Sequence, residues 1–178
     1  MSLRIRAATK QDRDDIRGIY FEAFPEGENH LIAKLAGNLL NEESDPATVS
    51  LIAKSGNEAV GHVAFSPVFS VVSKKCLGFI LAPLAVKPTH QNAGIGSKLV
   101  EAGIERLSEM GVHLFVVYGD PQYYGRFGFS AEAASRFMPP YELKFPFGWL
   151  AILRSQGGAN DKVVKLSCVE SLHNPALW

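Results

Sequence analysis

The sequence predicts an α/β fold built on a mixed, mostly antiparallel sheet. Two strand-like segments, Val49 to Ala53 and Ala59 to Phe65, lie on either side of the turn Ser55-Gly56-Asn57 and predict an antiparallel hairpin. Two nearly continuous apolar runs, Cys76 to Val86 and Val112 to Tyr118, are typical of parallel strands that are buried on both faces. A helical pattern lies between them, so the three elements form a βαβ unit, whose crossover we expect to be right-handed. We therefore expect a central parallel pair in the sheet, with helices flanking it.

The chain begins with a short strand and two helices. Leu3 to Ala7 is the first predicted strand, and Thr9 is the expected N-cap of the following helix, with Asp12 three residues on in an approximate capping box. Apolar residues at helical spacing extend this helix as far as Pro25, namely Ile16, Ile19, Tyr20 and Ala23. A second helix is expected from Glu28 to about Leu40, with one face formed by Leu31, Leu35 and Leu39.

The middle of the chain supplies the hairpin and the βαβ unit. Within the run from Cys76 to Val86, Pro83 cannot donate to a strand ladder, which indicates an edge, a bulge or a point where neighbouring strands part. The helix is predicted from about Ala93 to Met110, and its inner face carries Ile95, Leu99, Gly103 and Leu107. Residues 135–178 include the strand-like run Val163 to Val169, and we expect this part to complete the sheet.

The length and composition fit one domain of 178 residues, and they exclude few classes of function. The 18 basic residues cancel the 18 acidic ones, so no long-range field favours nucleic acid or an anionic membrane as a partner. The apolar runs are too short to span a bilayer, and Met1 to Lys10 lacks the apolar core of a signal peptide. We therefore expect a cytoplasmic protein. Its two cysteines lie in apolar strand-like runs, so we interpret both as buried free thiols, Cys76 and Cys168.

A loop with two glycines joins the first apolar run to the helix. Gly94 and Gly96 would stand at a helix N-terminus, where unpaired N–H groups and the positive end of the helix dipole favour an anion. We therefore expect a phosphate-bearing ligand at this loop. A dinucleotide fingerprint would need a third glycine where Leu99 stands, and a P-loop would need a Gly-Lys-Ser/Thr sequence that is absent here.

A second informative segment, Gly119 to Phe129, follows the second apolar run. Asp120 is the expected N-cap of a short helix, Pro121 its first residue, and Gly128 its end. Tyr123 and Phe127 are four residues apart and share a face, so we expect them to pack in the core. Tyr124 is turned by about 100° from that face and is available for another role.

These two segments carry a family resemblance. The Q-x-x-G-x-G pattern of Gln91 to Gly96, between this strand and this helix, resembles the pyrophosphate loop of the GNAT superfamily of N-acetyltransferases. The segment Gly119 to Phe129 is similar to the x-Tyr-x-x-x-Gly-Phe segment after the fifth strand of those enzymes, and its tandem tyrosines resemble the YhbS-like subgroup. The likeness covers roughly residues 3 to 130. It implies a single N-acetyltransferase domain over 1–178 with the GNAT fold, in which the two parallel strands splay to admit the cofactor.

The resemblance also implies an activity and its site residues. The enzyme would transfer the acetyl group of acetyl-CoA to a primary amine by direct attack in a ternary complex, and Tyr124 would protonate the departing CoA thiolate. The acetyl and pantetheine portions would be bound by the backbone of Leu84, Ala85 and Val86. The pyrophosphate would be held by Gln91, Asn92, Ala93, Gly94, Ile95, Gly96 and Ser97. Many relatives have an asparagine where Asp120 stands, so Asp120 is interpreted as a helix cap.

The general base is not assigned by the sequence. Many relatives place a glutamate on the strand before the loop, but Cys76 to Val86 contains no carboxylate. The candidates left open are water, Glu22, Glu26, Glu28 and His62. The remaining histidines lack metal-ligand spacing, so we expect no metal at His30, His90, His113 or His173.

Other functions and partners stay open at this point. A non-catalytic acyl-CoA-binding regulatory module is the main alternative, and a nucleotide-binding α/β protein is disfavoured by the two failed fingerprints. The acceptor is either a small molecule or a protein amine, and an acyl chain longer than acetyl is not excluded. A homodimer is equally open.

Overall fold

The computed structural model describes residues 2–154 and 162–178, and the chain folds into two compact units. The first unit holds the chain up to Phe65 together with Ala82–Arg106, and the second holds Ser66–Leu81 together with Leu107–Trp178. Residues 155–161, which fall in the part expected to complete the sheet, lie outside the described residues.

The predicted helices and strands occur in the expected order, with most ends within two residues of the expected positions. The first elements are β1 (Leu3–Ala7), α1 (Arg13–Ala23), α2 (Asn29–Asn41), β2 (Val49–Ser55), β3 (Glu58–Ser70), β4 (Cys76–Val86) and α3 (Ile95–Glu109). They are followed by β5 (Leu114–Tyr118), α4 (Pro121–Tyr124), α5 (Ala131–Ala134), β6 (Phe137–Met138), β7 (Trp149–Leu153) and β8 (Val164–Cys168). Three of these short elements, α5, β6 and β7, were not predicted. The second hairpin strand, β3, runs five residues beyond its predicted end at Phe65.

Three antiparallel strands belong to the first unit. β1 pairs with β2 from Leu3 opposite Ser55 to Ala7 opposite Leu51. β2 pairs in turn with the first part of β3, and a bulge interrupts the ladder after Ala53. The turn between β2 and β3 is the predicted one, which confirms the hairpin.

The second unit contains the parallel pair. β4 runs parallel to β5 from Phe79 opposite Phe115 to Leu81 opposite Val117, two residues before Pro83. β7 is antiparallel to β5, while β8 is antiparallel to the last part of β3 and parallel to β6. These pairings confirm a mixed, mostly antiparallel arrangement with one parallel βαβ pair and flanking helices.

The core of the first unit lies between the helices α1 and α2 and the strands they cover. Its buried cluster consists of Ile16, Ile19, Tyr20, Ala33, Ala36, Ile52, Ala59 and Ala85. The helix α3 packs closely on β3 because Gly103 lacks a side chain: a Cβ there would overlap the ring of Phe65. The inner face predicted for α3 is therefore confirmed.

A carboxylate joins β1 to the start of α1. Asp12 accepts hydrogen bonds from the guanidinium of Arg6 at 2.8 and 2.9 Å and from the Thr9 N–H at 2.8 Å. The hydrogen bonds from Arg6 hold the pKa of Asp12 well below its usual range. Thr9 is thus the N-cap of a short 3₁₀ turn, Lys10–Asp12, and this turn leads into α1.

One cysteine is placed differently from expectation. Cys168 is buried as predicted, but Cys76 is exposed, because it is the first residue of β4 and follows a surface turn. Within the described residues neither cysteine forms a disulfide bond. None of the helices in the described parts of the chain has the length and apolar character needed to cross a membrane.

Candidate active site

The loop with two glycines joins β4 to α3 within the first unit. Pro88–His90 form a single 3₁₀ turn, after which Asn92 and Gly94 adopt left-handed φ values of 63° and 79°. Asparagine and glycine are the residues that take this conformation with the least strain. A Cβ placed on Gly94 would meet no atom within 4 Å, so this side of the loop faces open space.

The loop leads directly into a helix N-terminus. α3 begins at Ile95, and the first N–H groups of a helix have no intrahelical acceptor. Gly96 and Ser97 in this first turn are half-buried, while the preceding residues of the loop are exposed. Lys98, an exposed cation, donates its backbone N–H to Gly94 at 3.1 Å. An anionic group is favoured here by the helix dipole and by a positive side chain.

Gln91 connects this loop to the end of β4. Its side-chain Nε2 donates to the carbonyl oxygen of Val86 at 2.9 Å. The sequence analysis placed Gln91 in the phosphate loop without a separate role for its side chain. The structure shows that the side chain also holds the loop against the strand.

The strand end that precedes the loop is Leu84–Val86. Ala85 is buried and belongs to the apolar cluster under α1 and α2, whereas Leu84 and Val86 are half-buried. Just beyond, the Lys87 N–H donates to the carbonyl of Val60 at 2.8 Å, which fixes the point where the strand becomes loop. The structure thus brings the predicted pantetheine-binding and pyrophosphate-binding residues together as consecutive parts of one unit.

The second unit carries the predicted tyrosine helix. The Asp120 side chain accepts from the Gln122 N–H at 2.9 Å, Pro121 is the first residue of α4, and Gly128 ends the following 3₁₀ turn with a φ of 100°. All three predicted roles are confirmed. Asp120 is a helix cap.

The two adjacent tyrosines have different surroundings. Tyr123 and Phe127 share a face as predicted, with ring centroids 5.6 Å apart, but both are half-buried and do not belong to the core. The Arg126 guanidinium lies 4.5 Å from the Tyr123 ring centroid. Tyr124 packs against Phe129 at 5.8 Å, and its ring also lies directly against the backbone of Gly119. Gly119 was not among the predicted site residues, although a glycine immediately before a helix cap can indicate a close approach to the backbone.

The Tyr124 hydroxyl is held in its neutral form. Burial of the ring, together with the neighbouring Tyr123 and Asp120, raises the pKa of Tyr124 above its ordinary value of about 10. By accessible surface the Tyr124 residue as a whole is half-buried. A tyrosine in this state is a proton or hydrogen-bond donor at neutral pH.

The structure places His62 in the core. It is fully buried, with Nδ1 2.8 Å from the Tyr20 hydroxyl and Nε2 2.7 Å from the Ser50 hydroxyl. Burial lowers the pKa of His62 to about 3. Both ring nitrogens are already hydrogen-bonded, so this histidine is poorly placed to accept a substrate proton.

The carboxylates that were candidates for the base are on the surface. Glu22 lies on α1, Glu26 and Glu28 lie in the loop before α2, and all three are exposed. Among residues 2–154 and 162–178, no group of three or more histidine, cysteine or acidic side chains is arranged to hold a metal ion. Of the later aromatic residues, Trp149 is buried, whereas Phe145 and Phe147 are exposed.

Comparison with known proteins gives a family and several relatives. The model of the "Acetyltransferase (GNAT) family" matches residues 13–129. The chain is 38% identical over 136 residues to "Uncharacterized N-acetyltransferase YjhQ" of Escherichia coli strain K12, covering 75% of this chain and 74% of that protein.

Two solved structures are similar over nearly the whole chain. One is the GNAT family N-acetyltransferase YhbS from Escherichia coli in complex with CoA, which matches with a TM-score of 0.82 at 26% identity. The match covers 97% of this chain and 92% of that chain. The other is a GNAT family acetyltransferase from Brucella melitensis in complex with acetyl-CoA, which matches with a TM-score of 0.74 at 27% identity. The match covers 96% of this chain and 97% of that chain.

Proposed function

The chain belongs to the GNAT family of acetyltransferases, and we propose that it transfers the acetyl group of acetyl-CoA directly to a primary amine of its acceptor within a ternary complex. The observation that carries this proposal is the loop of Gln91 to Ser97, which combines left-handed backbone at Asn92 and Gly94 with the N-terminus of α3. The complexes of two relatives with CoA and acetyl-CoA support the choice of cosubstrate. We also propose that the whole chain serves this one activity as a single N-acetyltransferase domain.

The diphosphate of acetyl-CoA is the anion that this loop is suited to hold. The N–H groups of the loop and of the first turn of α3 would donate to its oxygens, with Lys98 adding a positive charge. The backbone of Leu84, Ala85 and Val86 would bind the pantetheine and the acetyl group. One N–H of this strand end would polarise the thioester carbonyl, which makes its carbon more open to attack.

The reaction then needs one bond formed, one broken and two protons moved. The neutral amine attacks the thioester carbonyl carbon, the new C–N bond forms, and the C–S bond breaks. We assign Tyr124 as the donor of the proton that the leaving thiolate takes up. Its protonated state at neutral pH supports this role, although the raised pKa that secures this state also makes Tyr124 a weaker acid than an ordinary phenol.

The nitrogen loses the second proton after the attack, and an acceptor that arrives as an ammonium must lose a further proton before it. An alkyl ammonium with a pKa near 10.4 costs about 4.6 kcal/mol to deprotonate at pH 7. His62 is withdrawn into the core, so water or one of the exposed carboxylates, Glu22, Glu26 or Glu28, would take this proton. Because only the neutral amine attacks, the rate should rise with pH as more of the acceptor becomes neutral.

The experiment that tests this proposal compares two single hydroxyl deletions. Tyr124→Phe should bind acetyl-CoA nearly normally but lose roughly 10²–10⁴-fold in kcat, the usual contribution of a positioned acid. Tyr123→Phe is the matched control and should keep kcat within about threefold, because its ring contacts with Phe127 survive. Binding is measured by calorimetry and kcat by steady-state kinetics against a panel of amines.

An acyl thioester with a more acidic thiol serves as an internal check. Its leaving group needs less protonation, so it should partly restore the rate of Tyr124→Phe. Equal, small losses in both variants would refute the role of Tyr124 as acid. Absence of acetyl-CoA turnover by the wild type with every amine would instead count against the proposed acceptor class.

A further inference from the structure

The ring of Tyr124 occupies space that exists only because residue 119 is glycine. A Cβ on Gly119 would lie 2.5 Å from Cε2 and 3.0 Å from Cδ2 of Tyr124. Gly119 is not among the glycines with left-handed φ, so its backbone conformation is open to any residue. Glycine is therefore required at this position for space and not for conformation.

A second glycine lies against the backbone of Gly119. The Gly119 N–H donates to the carbonyl of Gly148 at 2.9 Å. A Cβ on Gly148 would lie 2.8 Å from the carbonyl oxygen of Gly119 and 3.4 Å from two ring carbons of Tyr118. Gly119 is thus enclosed between the ring of Tyr124 and the backbone of Gly148, with no room for a side chain on either glycine.

The segment that carries Gly148 is itself held in place. The Phe145 N–H donates to the Tyr118 hydroxyl at 2.8 Å, and the Gly148 N–H donates to the Phe145 carbonyl at 2.9 Å. The ring of Tyr118 stacks on Trp178 with centroids 6.3 Å apart and planes 12° apart. Because Gly148 is held in this way and accepts the Gly119 N–H, the backbone of Gly119 is restrained where it meets the Tyr124 ring.

We propose that Gly119 and Gly148 are positioning residues for Tyr124, which together set where its ring and hydroxyl lie during catalysis. This inference rests on the proposed role of Tyr124 as the acid. A methyl group at position 119 would push the Tyr124 ring aside, because the other side of the strand end is held. A displacement of about 1 Å at a catalytic group can cost on the order of 10²-fold in rate.

The test is Gly119→Ala with Gly125→Ala as its matched control. A Cβ on Gly125 would meet no atom within 4 Å, and its φ of −57° suits alanine, although it lies in the same short segment as Tyr124. We expect Gly119→Ala to lose roughly 10- to 100-fold in kcat with the KM for acetyl-CoA changed less than about twofold. Gly125→Ala should keep both parameters within about twofold.

Two further readouts separate positioning from a general loss of structure. The thioester with the better leaving group should partly rescue Gly119→Ala, as it does Tyr124→Phe. In the Tyr124→Phe background, Gly119→Ala should lower kcat by less than about threefold, because the group that it displaces is already gone. A thermal unfolding curve shows that each variant is folded.

The outcomes distinguish this inference from the proposed function. If Tyr124→Phe loses activity but Gly119→Ala does not, positioning is refuted and the acid stands. An equal loss from Gly119→Ala in both backgrounds also refutes positioning. If Tyr124→Phe is fully active, the assignment of the acid fails and this inference fails with it.

A milder variant covers the case in which Gly119→Ala does not fold. Tyr118→Phe removes only the hydroxyl that holds the Phe145 N–H, and it should lose a few-fold in kcat with the same leaving-group rescue. A Tyr118→Phe enzyme with unchanged kcat would then overturn the positioning role.

Discussion

The hydroxyl oxygen of Tyr20 lies 2.8 Å from Nδ1 of His62, and this hydrogen bond joins α1 to β3 inside the core of the first unit. Ser50 on β2 completes the arrangement at Nε2, so two strands and a helix share one buried imidazole. A buried polar group that is hydrogen-bonded in this way specifies how the elements around it pack, but it is costly to charge. His62 therefore bears on stability and its dependence on pH.

We expect the free energy of unfolding to fall as the pH drops below about 6.5. The unfolded chain binds a proton at His62 near that pH, whereas the folded protein, with the pKa of His62 lowered to about 3, does not. The loss should reach at most about 1.4 kcal/mol per pH unit. Asp12, whose pKa is lowered in the folded state, adds a further loss only below about pH 4, so denaturant unfolding at pH 7 and pH 5 isolates His62.

His62→Gln should be less stable than the wild type at pH 7 but should lose less stability on going to pH 5. His113→Gln, at an exposed position, is the control and should keep the wild-type dependence. A wild-type stability that is equal at pH 7 and pH 5 would contradict this interpretation of His62.

The proposed diphosphate site predicts a loss of ligand-dependent stabilisation in Gly96→Val. Acetyl-CoA that binds only the folded protein should raise the Tm of the wild type, by an amount equivalent to about 2.7 kcal/mol at a concentration of 100 times Kd. A valine at Gly96 would keep the diphosphate away from the first turn of α3, so the shift should disappear. Differential scanning fluorimetry measures both.

Gly18→Val controls for the cost of placing valine in a helix. A Cβ on Gly18, in α1, would meet no atom within 4 Å, so this variant should be less stable but should retain the shift. A normal shift in Gly96→Val would move the phosphate site elsewhere.

The tether from Gln91 to Val86 predicts a graded effect on acetyl-CoA affinity. Gln91→Ala loses one hydrogen bond that holds the loop to the strand, which should raise Kd by about 2- to 10-fold. Gln91→Glu loses the same hydrogen bond and also places a negative charge at the diphosphate, so its Kd should rise further. Calorimetry at low and high salt should show the difference between the two variants shrinking as salt screens the charge.

Acetyl-pantetheine, which lacks the diphosphate, completes this test. With that ligand, Gln91→Glu and Gln91→Ala should have similar affinities. If Gln91→Ala binds acetyl-CoA as tightly as the wild type does, the tether has no part in forming the site.

The cap at Asp120 predicts that asparagine, but not alanine, will be tolerated there. Asn and Asp are comparable N-caps, so Asp120→Asn should keep the hydrogen bond to the Gln122 N–H and change stability little. Asp120→Ala should lose about 1 kcal/mol of stability, measured by denaturant unfolding. Equal stability of all three proteins would remove the capping role.

Much of the fold was determined by the sequence by itself, because its signals are local. The turn at Ser55-Gly56-Asn57 and the short helix between Asp120 and Gly128 depend on hydrogen bonds and conformations within a few residues. The strand Cys76–Val86 is marked by its continuous apolar run, although its partner β5 is distant in sequence. Side-chain spacing likewise predicted that Tyr123 faces Phe127. The resemblance to an acetyltransferase loop could be detected in the sequence for the same reason, since the loop is one continuous segment.

Only the tertiary structure decided which of the candidate residues are buried and which neighbours bury them. His62 looked open to either the core or a cleft until Tyr20 and Ser50, 42 and 12 residues away in sequence, were seen to enclose it. Cys76 was expected inside and lies outside. The enclosure of Gly119 by Gly148 joins segments that no spacing rule relates. Burial and close contacts arise when distant parts of the chain pack together. A local sequence pattern predicts which face of an element a residue lies on, but not which distant residues will cover that face.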